Sequence, residues 1–82
     1  MNKRALLLMI EFEAADIQLE KVAPKYLNMS ERQWKLAARQ QALPFPVFRV
    51  GSQKSPWLVN VLRLAEHVDK IEAEARADWK AA

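Results

Sequence analysis

The sequence predicts a mainly α-helical domain with one small β-hairpin, an α+β fold, on three observations. Apolar residues recur at spacings of three and four over 19–27, 30–42 and 61–80, the period of an amphipathic helix. The segment 46–59 breaks that period, placing β-formers on either side of a polar tip that holds the only glycine, Gly51. The 82 residues, with no repeat, low-complexity tract or linker, suit a single domain with one modest core.

The N-terminal stretch Arg4 to Glu13 is apolar on nearly every side, which fits either a buried helix or a buried strand. Leu, Met and Ala dominate it and β-branched residues are few, which favours helix. Ile17-Gln18 is short enough for a single strand pairing or an extended entry to the next helix. Leu19 to Leu27 reads as a short helix with Leu19, Val22, Ala23 and Tyr26 on one face. Pro24 removes a backbone donor from its interior, so a kink or a restart is expected near Ala23. Asn28-Met29 makes the turn. Ser30 with Gln33 three residues on matches the capping box, and helix formers continue to Ala42, where Pro44 is expected to stop them. On this helix Trp34, Ala37, Ala38 and Gln41 share an inward face, while Arg32, Lys35, Leu36 and Arg39 lie opposite.

Phe45 to Val50, with Pro44 and Pro46, reads as an extended segment becoming a strand, and Trp57-Leu58-Val59 returns as a second strand. Asn60 is placed to cap a final helix reaching about Lys80, with an apolar stripe of Val61, Leu64, Ala65, Val68, Ile71, Ala75 and Trp79. Trp34, Trp57 and Trp79 read as core aromatics and His67 as a surface or packing residue. Glu66, Asp69, Glu72 and Glu74 read as the solvated face of the last helix.

Charge separates the chain into unequal parts. Residues 1–30 hold four basic and four acidic side chains, and residues 58–82 hold four basic and five acidic. Residues 31–57 carry five basic side chains (Arg32, Lys35, Arg39, Arg49, Lys54) against one acid, so the net charge of +3 originates in the middle third. A basic patch on a neutral body is the electrostatic footprint of a nucleic-acid reader.

The order helix, short turn, capped helix, hairpin, helix is that of a winged helix-turn-helix, whose second helix enters the DNA major groove. The expected organisation is one domain over 1–82, with the helix-turn-helix about 19–42, the wing about 46–59 and the C-terminal helix about 61–80. Arg32 and Gln33 suit base edges because each can make paired hydrogen bonds, to guanine and adenine respectively. Lys35 and Arg39 divide between bases and phosphates, and Leu36 touches a thymine methyl or borders the interface. Glu31 and Gln33 stand at the leading end, and the Ser30 end offers free N–H groups to a phosphate. Ser52, Gln53, Lys54 and Ser55 form a donor-rich tip for the backbone or the minor groove, supported by Arg49.

Other classes fare worse. With no cysteine and a single histidine, thiolate and histidine-cluster metal sites are excluded, and no metal or cofactor is expected. No cysteine nucleophile, phosphate-cradling glycine loop or histidine–nucleophile pairing is visible, so an enzyme is not expected. No segment approaches the ~18 apolar residues of a membrane span. The apolar run Ala5 to Ile10 after Lys3 and Arg4 is too short for a signal peptide, and Glu11 and Glu13 stand where small residues would be cleaved. A bacterial cytoplasmic, nucleoid-associated protein is the expectation. The competing reading is a protein-interaction module, such as an antirepressor, using the apolar N-terminal segment and the tail around Ile71 to Trp79.

The run Leu-Pro-Phe-Pro-Val-Phe-Arg-Val-Gly-Ser-Gln-Lys-Ser-Pro-Trp-Leu-Val over 43–59 resembles the pyocin activator family of phage-related bacterial regulators. Leu-Leu-Leu-Met at 6–9, the stretch Ile17 to Val22 and Leu64-Ala65 fit it as well. More broadly, Leu-Glu-x-Val-Ala, a Met-Ser turn, a basic helix, Leu-Pro and a hairpin resemble excisionase-like winged helices of the wider MerR-like group. Leu36 and Pro24 depart from that broader pattern. The resemblance implies double-stranded DNA binding in a phage or prophage, either as a transcriptional activator or as an excisionase (recombination directionality factor). The DNA-binding residues it implies are those of helix 30–42 and tip 52–55, and RNA polymerase or an integrase is the protein partner to be expected. A homodimer or a cooperative oligomer on DNA is expected, since one protomer offers few phosphate contacts.

Overall fold

A computed structural model describes residues 2–52 and 54–81. Its elements are helix α1 (Lys3–Phe12), strand β1 (Asp16–Gln18), helix α2 (Leu19–Val22), a π-helical turn (Ala23–Leu27), helix α3 (Glu31–Arg39), strand β2 (Leu58–Asn60) and helix α4 (Val61–Ala81). The fold is mainly helical, as the periodicities predict, and carries one small antiparallel sheet that pairs β2 with β1 and not with the segment before the loop.

The sheet joins segments far apart in sequence. Ile17 of β1 faces Val59 of β2, flanked by Asp16 opposite Asn60 and Gln18 opposite Leu58. The contact continues beyond the strands, where Leu19 N–H donates to the Trp57 carbonyl at 2.8 Å and Val61 N–H to the Ala15 carbonyl at 2.8 Å. Ile17 and Val59 are buried and join Leu19, Val22, Ala23, Leu64 and Ala65 in a single core. Ala5 and Leu8 bring α1 onto this core, and Trp34 and Ala38 bring α3.

Each helix boundary has a local cause. Asn2 caps α1, its side-chain oxygen accepting the N–H of Arg4 at 2.8 Å. Pro24 has no N–H to return to the preceding turn, and the chain widens there: the N–H of Asn28, itself left-handed at φ 52°, reaches the Ala23 carbonyl. The expected helix over 19–27 is thus a single α-turn that passes into a π-turn. Ser30 and Gln33 form the predicted capping box on α3. The far end of α3 differs from expectation, because the helix stops at Arg39 and not at Ala42. Gln41 is left-handed (φ 54°), its N–H donates to Ala38 and the N–H of Ala42 donates to Ala37 at 2.9 Å. This Schellman arrangement satisfies the last carbonyls before Pro44 is reached and turns Gln41 out to solvent, not inward.

The hairpin is also shorter than expected. Phe48 and Leu58 exchange two backbone hydrogen bonds, of 2.9 and 2.7 Å, and no further rung forms among the described residues of 46–57. Proline explains the limit. In an antiparallel pair every second rung exchanges hydrogen bonds. Counting from Phe48–Leu58, those rungs would pair residue 50 with Pro56 and Pro46 with residue 60, and neither proline can donate. Trp57 therefore precedes β2, and Val50 is exposed.

Asn60 caps α4, accepting the Leu62 N–H at 2.9 Å. The predicted stripe is buried only in its first half. Val61, Leu64 and Ala65 are enclosed and Val68 is half-buried, whereas Ile71, Ala75 and Trp79 are exposed, Trp79 at 85%. Trp79 is therefore not a core aromatic. The reason is length: 21 residues make a helix of about 31 Å, longer than a core of this size can cover. The acidic residues of α4 are not all solvated either. Asp69 accepts from Asn2 Nδ2 at 2.9 Å and from Arg4 Nε at 2.5 Å, and Glu72 pairs with Arg4 and Arg76. These contacts lock α1 against α4. They hold the Asp69 carboxyl below its ordinary value of 3.8, chiefly through the Asn2 hydrogen bond and then through Arg4.

Two outcomes follow from these features. Replacing Gln41 by Gly removes the left-handed penalty of a side chain, on the order of 1 kcal/mol, and raises the melting temperature by about 4–8 °C in calorimetry. A group whose folded pKa is depressed contributes stability above its unfolded value and loses it as pH falls. Thermal melts of the wild type therefore drop as pH is lowered through and below 3.8, while Asp69→Asn is less stable near neutrality and declines less steeply in acid.

Candidate nucleic-acid interface

Helix α3 displays its charges because its apolar residues are consumed by the core. Trp34, Ala37 and Ala38 are buried, which turns Arg32, Lys35, Leu36 and Arg39 to solvent as predicted. The loop from Arg49 to Trp57 stands beside them, anchored at its base by the Phe48–Leu58 pair. Between helix and loop lies a cleft of about 290 Å³. Lys35 and Arg39 line it from α3, Arg49, Lys54, Ser55 and Trp57 from the loop side, and Glu20 and Glu31 supply its two carboxylates.

The cations differ in how far they are already engaged. Lys35 Nζ is 2.6 Å from Glu31 Oε1, one turn back on the same helix, and it lies over the Trp34 ring. That hydrogen bond, with the adjacent charge, holds the Glu31 carboxyl below the usual carboxylate range. Arg32, Arg39, Arg49 and Lys54 make no ion pair among the described residues. Elsewhere Arg4, Lys25, Arg63 and Arg76 are each matched with a carboxylate. Unmatched arginine charge is thus concentrated on α3 and the adjoining loop.

Arg49 has a fixed orientation. Its guanidinium carbon lies 4.1 Å from the centroid of the Trp57 ring. In the register set by Phe48 and Leu58 these two residues face each other on the rung without hydrogen bonds, where cross-strand side chains come closest. Arg49 Nε and Trp57 Nε1 are both buried without a hydrogen-bond acceptor. At the loop tip, Lys54 N–H donates to Ser52 Oγ at 3.2 Å and Ser55 N–H to the Ser52 carbonyl at 3.0 Å, so Ser52 is committed to the turn. Gly51 is required there: at φ +109°, a side chain would be strained and its Cβ would meet Ser55 Oγ at 3.2 Å.

Of the residues selected from sequence, Glu31, Lys35, Arg39, Arg49, Lys54 and Ser55 converge on the cleft. Arg32, Gln33 and Leu36 lie elsewhere on α3, Ser30 caps its start, and Gln53 falls outside the described residues. Gln33 is partly occupied, since its Oε1 accepts the Ser30 N–H at 2.9 Å and leaves its amide N–H groups for other partners. Sequence reasoning missed Glu20, Trp34, Pro56 and Trp57 as cleft residues. Trp57 had a legible signal: pairing Phe48 with Leu58 places it opposite Arg49.

No helix of the described chain is long and apolar enough to cross a membrane. No group of three or more His, Asp or Glu suited to a metal ion occurs among the described residues. No curated protein and no solved structure matches the chain. Residues 5–75, spanning most of α1, the sheet, the cleft and most of α4, match the family described as pyocin activator protein PrtN, and the chain belongs to that family.

Proposed function

We propose that this protein is an excisionase-like winged helix-turn-helix transcriptional activator of a phage or prophage, acting in the bacterial cytoplasm by binding double-stranded DNA. In this reading α2 and α3 form the helix-turn-helix, α3 lies in the major groove, and the loop 49–57 is the wing against the backbone. The carrying observation is the cleft between α3 and that loop, where Arg39, Arg49 and Lys54 gather without ion-pair partners. An array of unmatched cations on one face makes a positive local field that a polyanion would neutralise. DNA does so, and each phosphate neutralised releases counterions. The family description supports the regulatory half of the reading.

The residues divide by task. Arg32 and Arg39, exposed and unpaired on α3, reach base edges. Arg49, Lys54 and Ser55 hold the backbone, with Arg49 oriented by its stack on Trp57. A stacked arginine presents a planar fork to a phosphate, which a lysine cannot reproduce. No covalent chemistry is assigned to any residue.

Gel-shift titrations on the promoter DNA flanking the gene, at several salt concentrations, test this. Wild type binds site-selectively with a steep salt dependence. Arg49→Ala lowers the magnitude of the log–log salt slope by about 0.9, whereas Arg49→Lys keeps the slope and weakens binding. Arg32→Ala relaxes preference at one base pair by about 1–3 kcal/mol. Absence of binding to any flanking DNA at low salt overturns the proposal and favours a protein-interaction module.

A further inference from the structure

We propose that the outward face of α1 pairs antiparallel with α1 of a second copy of this chain. Ala5 and Leu8 turn one side of the helix into the core, yet the opposite side is also apolar. Leu6, Leu7 and Ile10 are exposed at 47%, 64% and 67%, and no other element covers them. With Lys3 before them they follow spacings of three and four, so all four residues lie on one face, and Glu13 continues the series just past the helix end.

The arrangement is self-complementary. A two-fold axis passing beside residue 8 would set Leu6 of one copy against Ile10 of the other, with Leu7 near the axis. The same operation sets Lys3 of each copy against Glu13 of its mate. Lys3 and Glu13 are exposed and make no ion pair among the described residues, unlike the neighbouring Arg4 and Glu11, which are matched internally. A parallel arrangement would place like charges together at both ends. An antiparallel two-fold contact is thus the geometry that satisfies both the apolar patch and its charged ends. The helix is only ten residues long, about 15 Å, so the contact is well below the ~800 Å² per partner of a stable dimer. Association is therefore weak and concentration-dependent. It does not rest on DNA binding.

Sedimentation equilibrium of the full chain, from low micromolar to sub-millimolar concentration, tests this. Wild type shifts reversibly from monomer towards dimer across the range. Leu7→Glu, at an exposed position, keeps its circular dichroism spectrum and remains monomeric throughout. Lys3→Glu and Glu13→Lys each weaken self-association, because each places like charges at both ends of the contact. Mixing those two variants restores association, since every end of the mixed pair then joins opposite charges. A wild type that stays monomeric over the range overturns the proposal. So does a dimer that survives Leu7→Glu, or a mixture that associates no better than its components.

Discussion

The rung between Ile17 and Val59 is the contact through which the other elements are positioned. It ties the residue that leads into α2 to the residue that leads into α4, although 41 positions separate them in the chain. Both side chains are fully enclosed, so the pair is held by burial as well as by its backbone bonds. One step further along, the Trp57 carbonyl accepts the N–H of Leu19, which fixes the start of α2 against the end of the loop. The distance between α3 and the loop is inherited from this connection. A change that separated β1 from β2 would open the cleft without touching a residue in it.

The charge distribution follows from which carboxylates reach which cations. α1 and α4 carry both signs, and Arg4, Asp69 and Glu72 are used to fasten one helix to the other. α3 contains one acid, Glu31, and it satisfies Lys35 alone. Glu20 lines the same cleft but makes no ion pair there. Arg39, Arg49 and Lys54 therefore keep their charge for an external partner. Exposed ion pairs contribute little to stability, so the absence of partners costs the fold little while leaving a strong local field.

Much of this was legible in the sequence because single residue types dictate single local solutions. Ser30 with Gln33 specified the start of α3, Asn60 the start of α4, and Pro24 the break after α2. The end of α3 was not legible, because the left-handed residue that closes it is a glutamine where glycine is the usual signal. The hairpin is shorter than its β-forming residues suggest because Pro46 and Pro56 fall on the positions of the register that must donate. The cleft was half legible. Its basic residues stand out by charge and Trp57 follows from the register that sets it opposite Arg49, but Glu20 enters through tertiary placement. Asp69 reads as solvated in the sequence because its partners Asn2 and Arg4 lie at the opposite end of the chain.

The internal engagement of α3 side chains bears on how discrimination would be divided among them. Gln33 gives its oxygen to the Ser30 N–H and Lys35 its ammonium to Glu31. For Gln33 to make the paired contact to adenine with its oxygen as well as its amide, or for Lys35 to leave Glu31, an existing bond is exchanged for a new one. The net gain is then the difference between two interactions of similar strength. Arg32 and Arg39 exchange only hydration. Arg49 is held against Trp57, which lowers the conformational freedom it would lose on binding. On the proposed function, selectivity then resides in the two unpaired arginines of α3, and the loop supplies a fixed point of attachment that sets the register from which they read.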